Sequence, residues 1–383
     1  MQGKRIIKKA YLYTPKRIME SPLSYFTQLP DPRIDRCKEH LLEDIIFITI
    51  AAVICGAETW NEIEAYGESK EEWLKEYLRL PKGIPSHDTF NRFFSALDPE
   101  SFEESFLSWI RAVSTLTEGE VVSIDGKTIR GSRGTGGKHA IHMVSAWANA
   151  NQLSLGQVKV DEKSNEITAI PKLLEVLVLK GCIVTIDAMG CQRDIAEKII
   201  SKEADYILSV KGNQGTLEQN IEDTIRFTEA DSLWKEEDFG HGRIESRHCY
   251  LYKDLSFIEN ASHWKSLSAV VKIESTRYIK STAAEEEKQT RFYITSSQAC
   301  AEVIGKAVRS HWGIENQLHW QLDVSFSEDQ SRKRDGYAAQ NFSLINRIAL
   351  NLLKNEQSKK RSIKGKRLSA GWDNDYLLKI LKN

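Results

Sequence analysis

Between Val121 and Lys211 the chain changes its apolar period repeatedly, and the order of those changes limits the core it can build. Strand patterns occur at 121–125, 141–149 and 154–161, where apolar residues fit a pleated, half-buried surface. A helical pattern follows from Ile167 to Lys180, then a strand at 182–187, a helix from Arg193 to Ala204 and a strand at 206–211. Three successive strands followed by alternating helices and strands predict an α/β mixed sheet covered by helices on its faces.

Two of those strands end in an acid. In VVSID, residues 121, 123 and 125 share one face, and in IVTID residues 183, 185 and 187 do the same. Asp125 and Asp187 therefore occupy strand ends, where sites form on open α/β sheets. Each could instead open a turn, because Asp125 precedes Gly126 and Asp187 lies shortly before Gly190. A third acid comes from a helix far downstream. At 100° per residue, Ile304, Val308, His311, Leu318 and Leu322 fall on one arc, and Glu315 lands inside it. A carboxylate on a core-facing stripe is costly unless it is paired or binds a metal. A buried ion pair is the alternative for Glu315 alone, while Asp323, Glu328 and Asp329 read as loop residues past the stripe. Together, Asp125, Asp187 and Glu315 make a hard oxygen site for Mg²⁺ or Mn²⁺, suited to phosphate chemistry.

At 383 residues the chain predicts two or three domains. Its 53 Lys plus Arg nearly cancel 54 Asp plus Glu, so any nucleic acid must be held by local basic patches. The scattered cysteines include no CxxC pair, which argues against a zinc knuckle and for a reducing compartment. No signal peptide is read, and the apolar run from Ile45 to Ala57 is too short for a bilayer and reads as a core helix. The expected location is cytoplasmic. Residues 1–24 read as a loose lead-in, and the pattern is helical from Leu41 to about Asp98. Ser86 is a candidate N-cap after the Lys82–Pro85 turn. A helix-turn-helix and a plain bundle both fit: Asn91 and Arg92 could reach DNA, whereas Phe90, Phe93 and Phe94 suggest core. Residues 216–289 break the alternation and read as an insertion before the strand at 290–295. KKRSIKGKRLSAGW reads as a mobile basic tail ending in a short helix.

The segments SIDGKTIRGS, TIDAMGCQ, LSVKGNQ, HGRIESR and HWGIENQLHWQLDVSFSEDQSR, in that order, resemble the insertion-sequence DDE transposases of the H-repeat-associated subgroup. LPDPRIDRCKEHLLEDIIFITIAAVICGAETW resembles that group's associated helical domain. The resemblance implies a ribonuclease H-like core, which the strand order also matches, with a catalytic, metal-binding triad at Asp125, Asp187 and Glu315. It implies an N-terminal helical domain at 1–115, a catalytic domain at 116–355 interrupted at 216–289, and a basic tail at 356–383. The implied activity is metal-dependent cleavage at transposon ends and strand transfer into target DNA. Two Mg²⁺ or Mn²⁺ ions would serve it, and a homodimer or higher oligomer would assemble on double-stranded DNA. Where the broader family places Tyr, Arg and Lys around its glutamate, this chain has Val308, His311 and Leu322, so strand handling would fall to Arg309, His311 and Trp312.

Further phosphate contacts are expected from basic and polar residues near strand ends: Lys127 and Arg130, Lys211 and Asn213, Arg243 and Arg247, and the Arg332–Arg334 run. The alternative for any one of them is a solvated surface charge. Trp312 and Trp320 could stack on a base or belong to the core. A DNA-binding protein that had lost transposition would let its acids decay, and all three are present here. A nuclease or resolvase on the same core would share them.

Overall fold

The computed structural model describes residues 22–382 apart from 115, 134–138, 162, 163, 241, 282, 283, 286 and 287. The expected lead-in at 1–24 falls almost wholly outside them.

The helical segment begins with α1 (Leu42–Ile54), which is buried from Asp44 onward, as its apolar run predicts. A reciprocal cap between Thr59 and Glu62 starts α2 (Trp60–Ser69). A single turn, α3 (Glu71–Leu74), precedes α4 (His87–Ala96), and the Ser86 side chain accepts from the Thr89 amide at the start of α4. Since α3 is one turn long, no helix-turn-helix pair forms. Phe90, Phe93 and Phe94 are fully buried, leaving Arg92 on the outside. Asp98 caps α5 (Pro99–Val113), whose first residue is a proline in the position where a missing N–H costs nothing.

Strand β1 (Val121–Ile129) pairs antiparallel with β2 (Ile141–Ala148), which pairs with β3 (Leu153–Lys159). Helix α6 (Glu166–Val176) leads to β4 (Ile183–Ile186), and α7 (Arg193–Ser201) leads to β5 (Asp205–Val210). Both later strands run parallel to β1, giving the order β3-β2-β1-β4-β5 of a ribonuclease H-like core.

The insertion extends this same sheet. After α8 (Gly215–Phe227) come β6 (Ser232–Gly240), β7 (Arg243–Tyr252), β8 (Ala269–Ile279), the short β9 (Ala284–Glu285) and β10 (Gln289–Thr295). β10 pairs antiparallel with β5, Phe292 opposite Val210, so the sheet continues β5-β10-β8-β7-β6, with β9 on β8. Helix α9 (Ala301–Ser310) lies on this extended sheet through Ala301, Ile304 and Ala307. A π-helical turn at Ile314–His319 and then α10 (Trp320–Phe326) follow.

Helix α11 (Ala338–Asn355) is buried along nearly its whole length and packs on α1 and α4. One continuous apolar core therefore runs from the N-terminal helices into the sheet. The expected mobile tail is folded: α12 (Ile363–Trp372) and α13 (Asn374–Leu381) bury Ala370, Leu377, Ile380 and Leu381. Two of its basic side chains are spent inside. Arg367 donates to the Val53 carbonyl and Lys366 to the Leu353 carbonyl. Among the described residues no helix is long and apolar enough to cross a membrane.

Candidate active site

Parallel pairing of β1 with β4 puts Ile124 opposite Ile186, so Asp125 and Asp187 follow on adjacent strands. Their settings differ. β4 stops before Asp187, whereas β1 runs on to Ile129 and holds Asp125 in mid-strand, opposite Ser145. The Asp-Gly turn considered for Asp125 does not form. At Asp187 the turn role is real: its Oδ1 accepts from the Met189 and Gly190 amides at 3.0 and 3.3 Å. Its Oδ2 is left without such a bond. A Cβ at Gly126 would collide with the Glu166 carboxylate and the His142 ring, which bond to each other at 2.7 Å.

Glu315 is exposed, contrary to the expectation of a core-facing acid. The reason is the π turn, which takes more than 3.6 residues and so breaks the 100° phase carried forward from α9. Ile314, Leu318 and Leu322 go into the core, and Glu315 opens into a cavity of about 290 Å³ that Asp125 and Asp187 also line. One ligand atom each from Asp125, Glu315 and His319 lie within 4.8 Å of one another, and Asp187 lines the cavity outside that tight group. His319 Nδ1 is 3.5 Å from Asp125 Oδ2. Burial first, then the charges of Glu315 and Asp187, push the Asp125 carboxyl up to about 8. Burial and then Glu166 raise Asp187, partly offset by the Gly190 and Met189 amides and then by Lys211. This corner holds more negative charge than the chain neutralises, and a divalent cation is its complement.

The expected DNA contacts separate by what already occupies them. Lys127 is buried, with Asp323, Glu328 and Asp329 at 2.7, 3.1 and 3.2 Å, and so is not available to phosphate. Asn213 donates to the Ala188 carbonyl at 2.7 Å and ties the β5 loop to the turn after Asp187. Arg243 and Arg247 both pair with Glu245. His311 Nδ1 lies 2.9 Å from the Thr185 hydroxyl, and burial pushes its ring down to about 4, so it is a neutral tie between α9 and β4. Lys333 is buried against the Phe342 ring, and Arg334 donates to the Gly131 carbonyl. Arg130's side chain stays 84% exposed, 3.5 Å from the Asp329 carboxylate, to which its amide also donates. Lys211 lines the acid cavity, Arg309 the adjoining groove, and Trp312 both. Trp320 is exposed.

The sequence reading missed the residues around the acids. Glu166, at the start of α6, is a fourth carboxylate close enough to act on both aspartates. Glu328, read as a loop acid, is buried and accepts from Arg347 at 3.2 Å; Arg347 in turn donates to Ser145, the residue opposite Asp125. His319 follows Glu315 by four residues, and that i, i+4 spacing was the available signal.

Residues 23–110 match the model of the DDE_Tnp_1-associated domain, and residues 116–352 match the Transposase DDE domain. A protein of Escherichia coli O157:H7 named "Putative transposase YncI" is 44% identical over 370 residues, covering 95% of each chain. In Escherichia coli K12, "H repeat-associated putative transposase YhhI" is 41% identical over 373 residues, covering 96% of this chain and 98% of that one. A piggyBac transposase in a synaptic complex with hairpin DNA aligns at a TM-score of 0.42 and 11% identity, over 92% of this chain and 76% of that one. By the match of its catalytic domain and its likeness along almost its whole length, the chain belongs to the DDE transposase family, among the H-repeat-associated proteins.

Proposed function

We propose that the protein cuts DNA at the ends of its own mobile element and joins those ends to target DNA, using Asp125, Asp187 and Glu315 as a metal-binding triad. The observation that carries this is the convergence of the three carboxylates on one cavity, with Asp125 bearing more negative charge around it than the chain balances. Bound between these acids, a pair of Mg²⁺ or Mn²⁺ ions would supply an activated water or 3′-hydroxyl and would stabilise the leaving oxygen of an in-line displacement. The protein's own part is to hold the acids still. Asp187 is fixed by two turn amides, Asp125 by the β1–β2 ladder, and Glu315 by the turn whose Ile314 and Leu318 anchor it to the core.

No nucleophilic side chain is required, because water or the DNA's own hydroxyl attacks. Lys211, Arg309, Trp312 and Arg130 are the expected DNA contacts that keep an accessible face, and the duplex would be bound by a homodimer or larger assembly. The test uses full-length protein and duplexes taken from the DNA flanking its reading frame. Asp125→Asn, Asp187→Asn and Glu315→Gln should each remove Mg²⁺-dependent cleavage, weaken Mn²⁺ binding read by electron paramagnetic resonance, and leave DNA affinity nearly unchanged. Cleavage at the wild-type rate by any of the three would remove that residue from the triad.

A further inference from the structure

The acid cavity is lined by two Lys or Arg residues, Lys211 and Arg291, and neither belonged to the helix that carries Glu315. They come from neighbouring strands. In the antiparallel β5–β10 pair Phe292 lies opposite Val210; Arg291 precedes Phe292 on β10, and Lys211 is the first residue after β5. On the helix side the cavity is lined by uncharged Val308, the His311 ring tied to Thr185, Trp312 and Glu315. The strand side of the cavity therefore carries both cations together with Asp125 and Asp187, and the helix side carries Glu315.

What sets these two cations apart is that no carboxylate is paired with either among the described residues, although the charge of Lys211 is felt at Asp187. Nearby arginines on the insertion sheet hold a carboxylate: Arg243, Arg247 and Arg277 all pair with Glu245. Arg309, in the adjoining groove, is faced by Glu245, Asp238 and Glu236. Among the described residues, neither Lys211 nor Arg291 forms an ion pair. The hydrogen bonds of Arg291 are to uncharged groups, Gln289 at 3.2 Å and Tyr293, and its guanidinium lies 5.8 Å from the centre of the Trp312 ring. Stacking of this kind restrains the planar fork without using up its N–H donors. Arg291 also lines the groove beyond, so it stands where the acid cavity opens into the insertion's surface.

We infer that Arg291, with Lys211 beside it, grips a non-bridging oxygen of the DNA phosphate at or next to the bond being cut, and so positions that phosphate against the three acids. Two cations that line the acid cavity without an ion-pair partner among the described residues fit an anion that must lie against a carboxylate cluster. A fork on β10 offers paired donors to such an oxygen, which a lysine cannot reproduce. The inference rests on the DNA-cleaving reading above, and its test separates the two.

Full-length wild type, Arg291→Ala, Arg291→Lys and Lys172→Ala are compared on the flanking-DNA duplexes with Mg²⁺. Arg291→Ala should lower the cleavage rate by about 100-fold at saturating DNA. It should reduce the salt slope of binding by about one phosphate, and it should leave Mn²⁺ binding and the thermal midpoint unchanged. Arg291→Lys should recover part of the rate, and Lys172→Ala, at an exposed side chain of α6 paired with Asp161, should stay close to wild type. In phosphate-ethylation interference, Arg291→Ala should lose dependence on one or two adjacent phosphates while the rest of the footprint persists. If wild type cleaves and Arg291→Ala matches it in rate and footprint, this inference fails alone. If Arg291→Ala binds Mn²⁺ less well, or Lys172→Ala is equally slow, the defect is structural or general and the assignment is also wrong. If wild type shows no metal-dependent cleavage, the functional reading falls and takes the inference with it.

Discussion

Asp125 and Lys127 lie two residues apart on one face of the same strand, yet they head two opposite kinds of charge cluster. Lys127 belongs to a closed system: Asp323, Glu328 and Asp329 surround it, and Glu328 is also held by Arg347, which is fully buried. Burial alone would raise Glu328, but Arg347 and Lys127 outweigh it and hold the carboxyl below its usual range. Asp125 belongs to an open system, in which Glu315, Asp187 and Glu166 add to the penalty of burial and no ion pair with a Lys or Arg among the described residues offsets them. A compensated cluster holds a fold together. An uncompensated one is kept at a cost to the fold, and its balance has to come from a ligand.

The contrast can be broken most severely at the C-terminus, where Arg367 and Lys366 are of the compensated kind. Deleting the chain from Lys359 should abolish cooperative folding, since each buried leucine or isoleucine of α13 contributes about 1.5–3 kcal/mol. A truncated protein with a normal circular-dichroism melt and a changed salt slope on DNA would restore the idea of a free basic tail. Next in size, Arg347→Met leaves Glu328 buried with Lys127 as its one remaining cation, and should cost about 3–5 kcal/mol in urea unfolding. A loss under about 1 kcal/mol would show that the closed cluster is not structural.

The open cluster should respond in the opposite direction. Asp125→Asn should stabilise the metal-free protein by about 1 kcal/mol while removing cleavage, the trade expected where function holds strain in the fold. Destabilisation on that change would mean that Asp125 is already balanced. The smallest effect concerns Glu103 on α5, whose carboxyl burial pushes up to about 7 even though the Gln157 amide donates to it at 3.0 Å. From about pH 4 to 7 the folded chain keeps a proton that the unfolded chain has lost, so stability falls as pH rises across that window. Glu103→Gln should flatten that fall in melts taken at several pH values.

Local pattern was enough for the strands and for two of the acids, because period-two alternation is written in adjacent residues. VVSID and IVTID gave both the strands and the side of the sheet on which Asp125 and Asp187 lie. Glu315 was found by position but not by environment, since a 100° rule cannot anticipate the π turn that carries it out of the core. The role of Lys127 was not legible because its partners lie about 200 residues away in sequence. The tail misled through composition. Its Lys and Arg count outweighed the spacing of Tyr376, Leu377, Ile380 and Leu381, which bury one face of α13. The broken alternation of 216–289 suggested an insertion, yet nothing local says that β10 will return to β5 and continue the sheet.

That continuity has a geometric consequence. Each step across a sheet turns the strand direction by about 20–25°, so the six steps from β1 to β6 amount to roughly 120–150° of rotation. A ribbon turned that far is a saddle, and α9 rests against its far strands β6 and β7 as well as near β1 and β4. The helix leading to Glu315 is thus cradled by curvature that no single strand provides. Trimming the β6–β7 hairpin would uncurl the saddle and let that cradle go slack, with every residue of the cavity still in place.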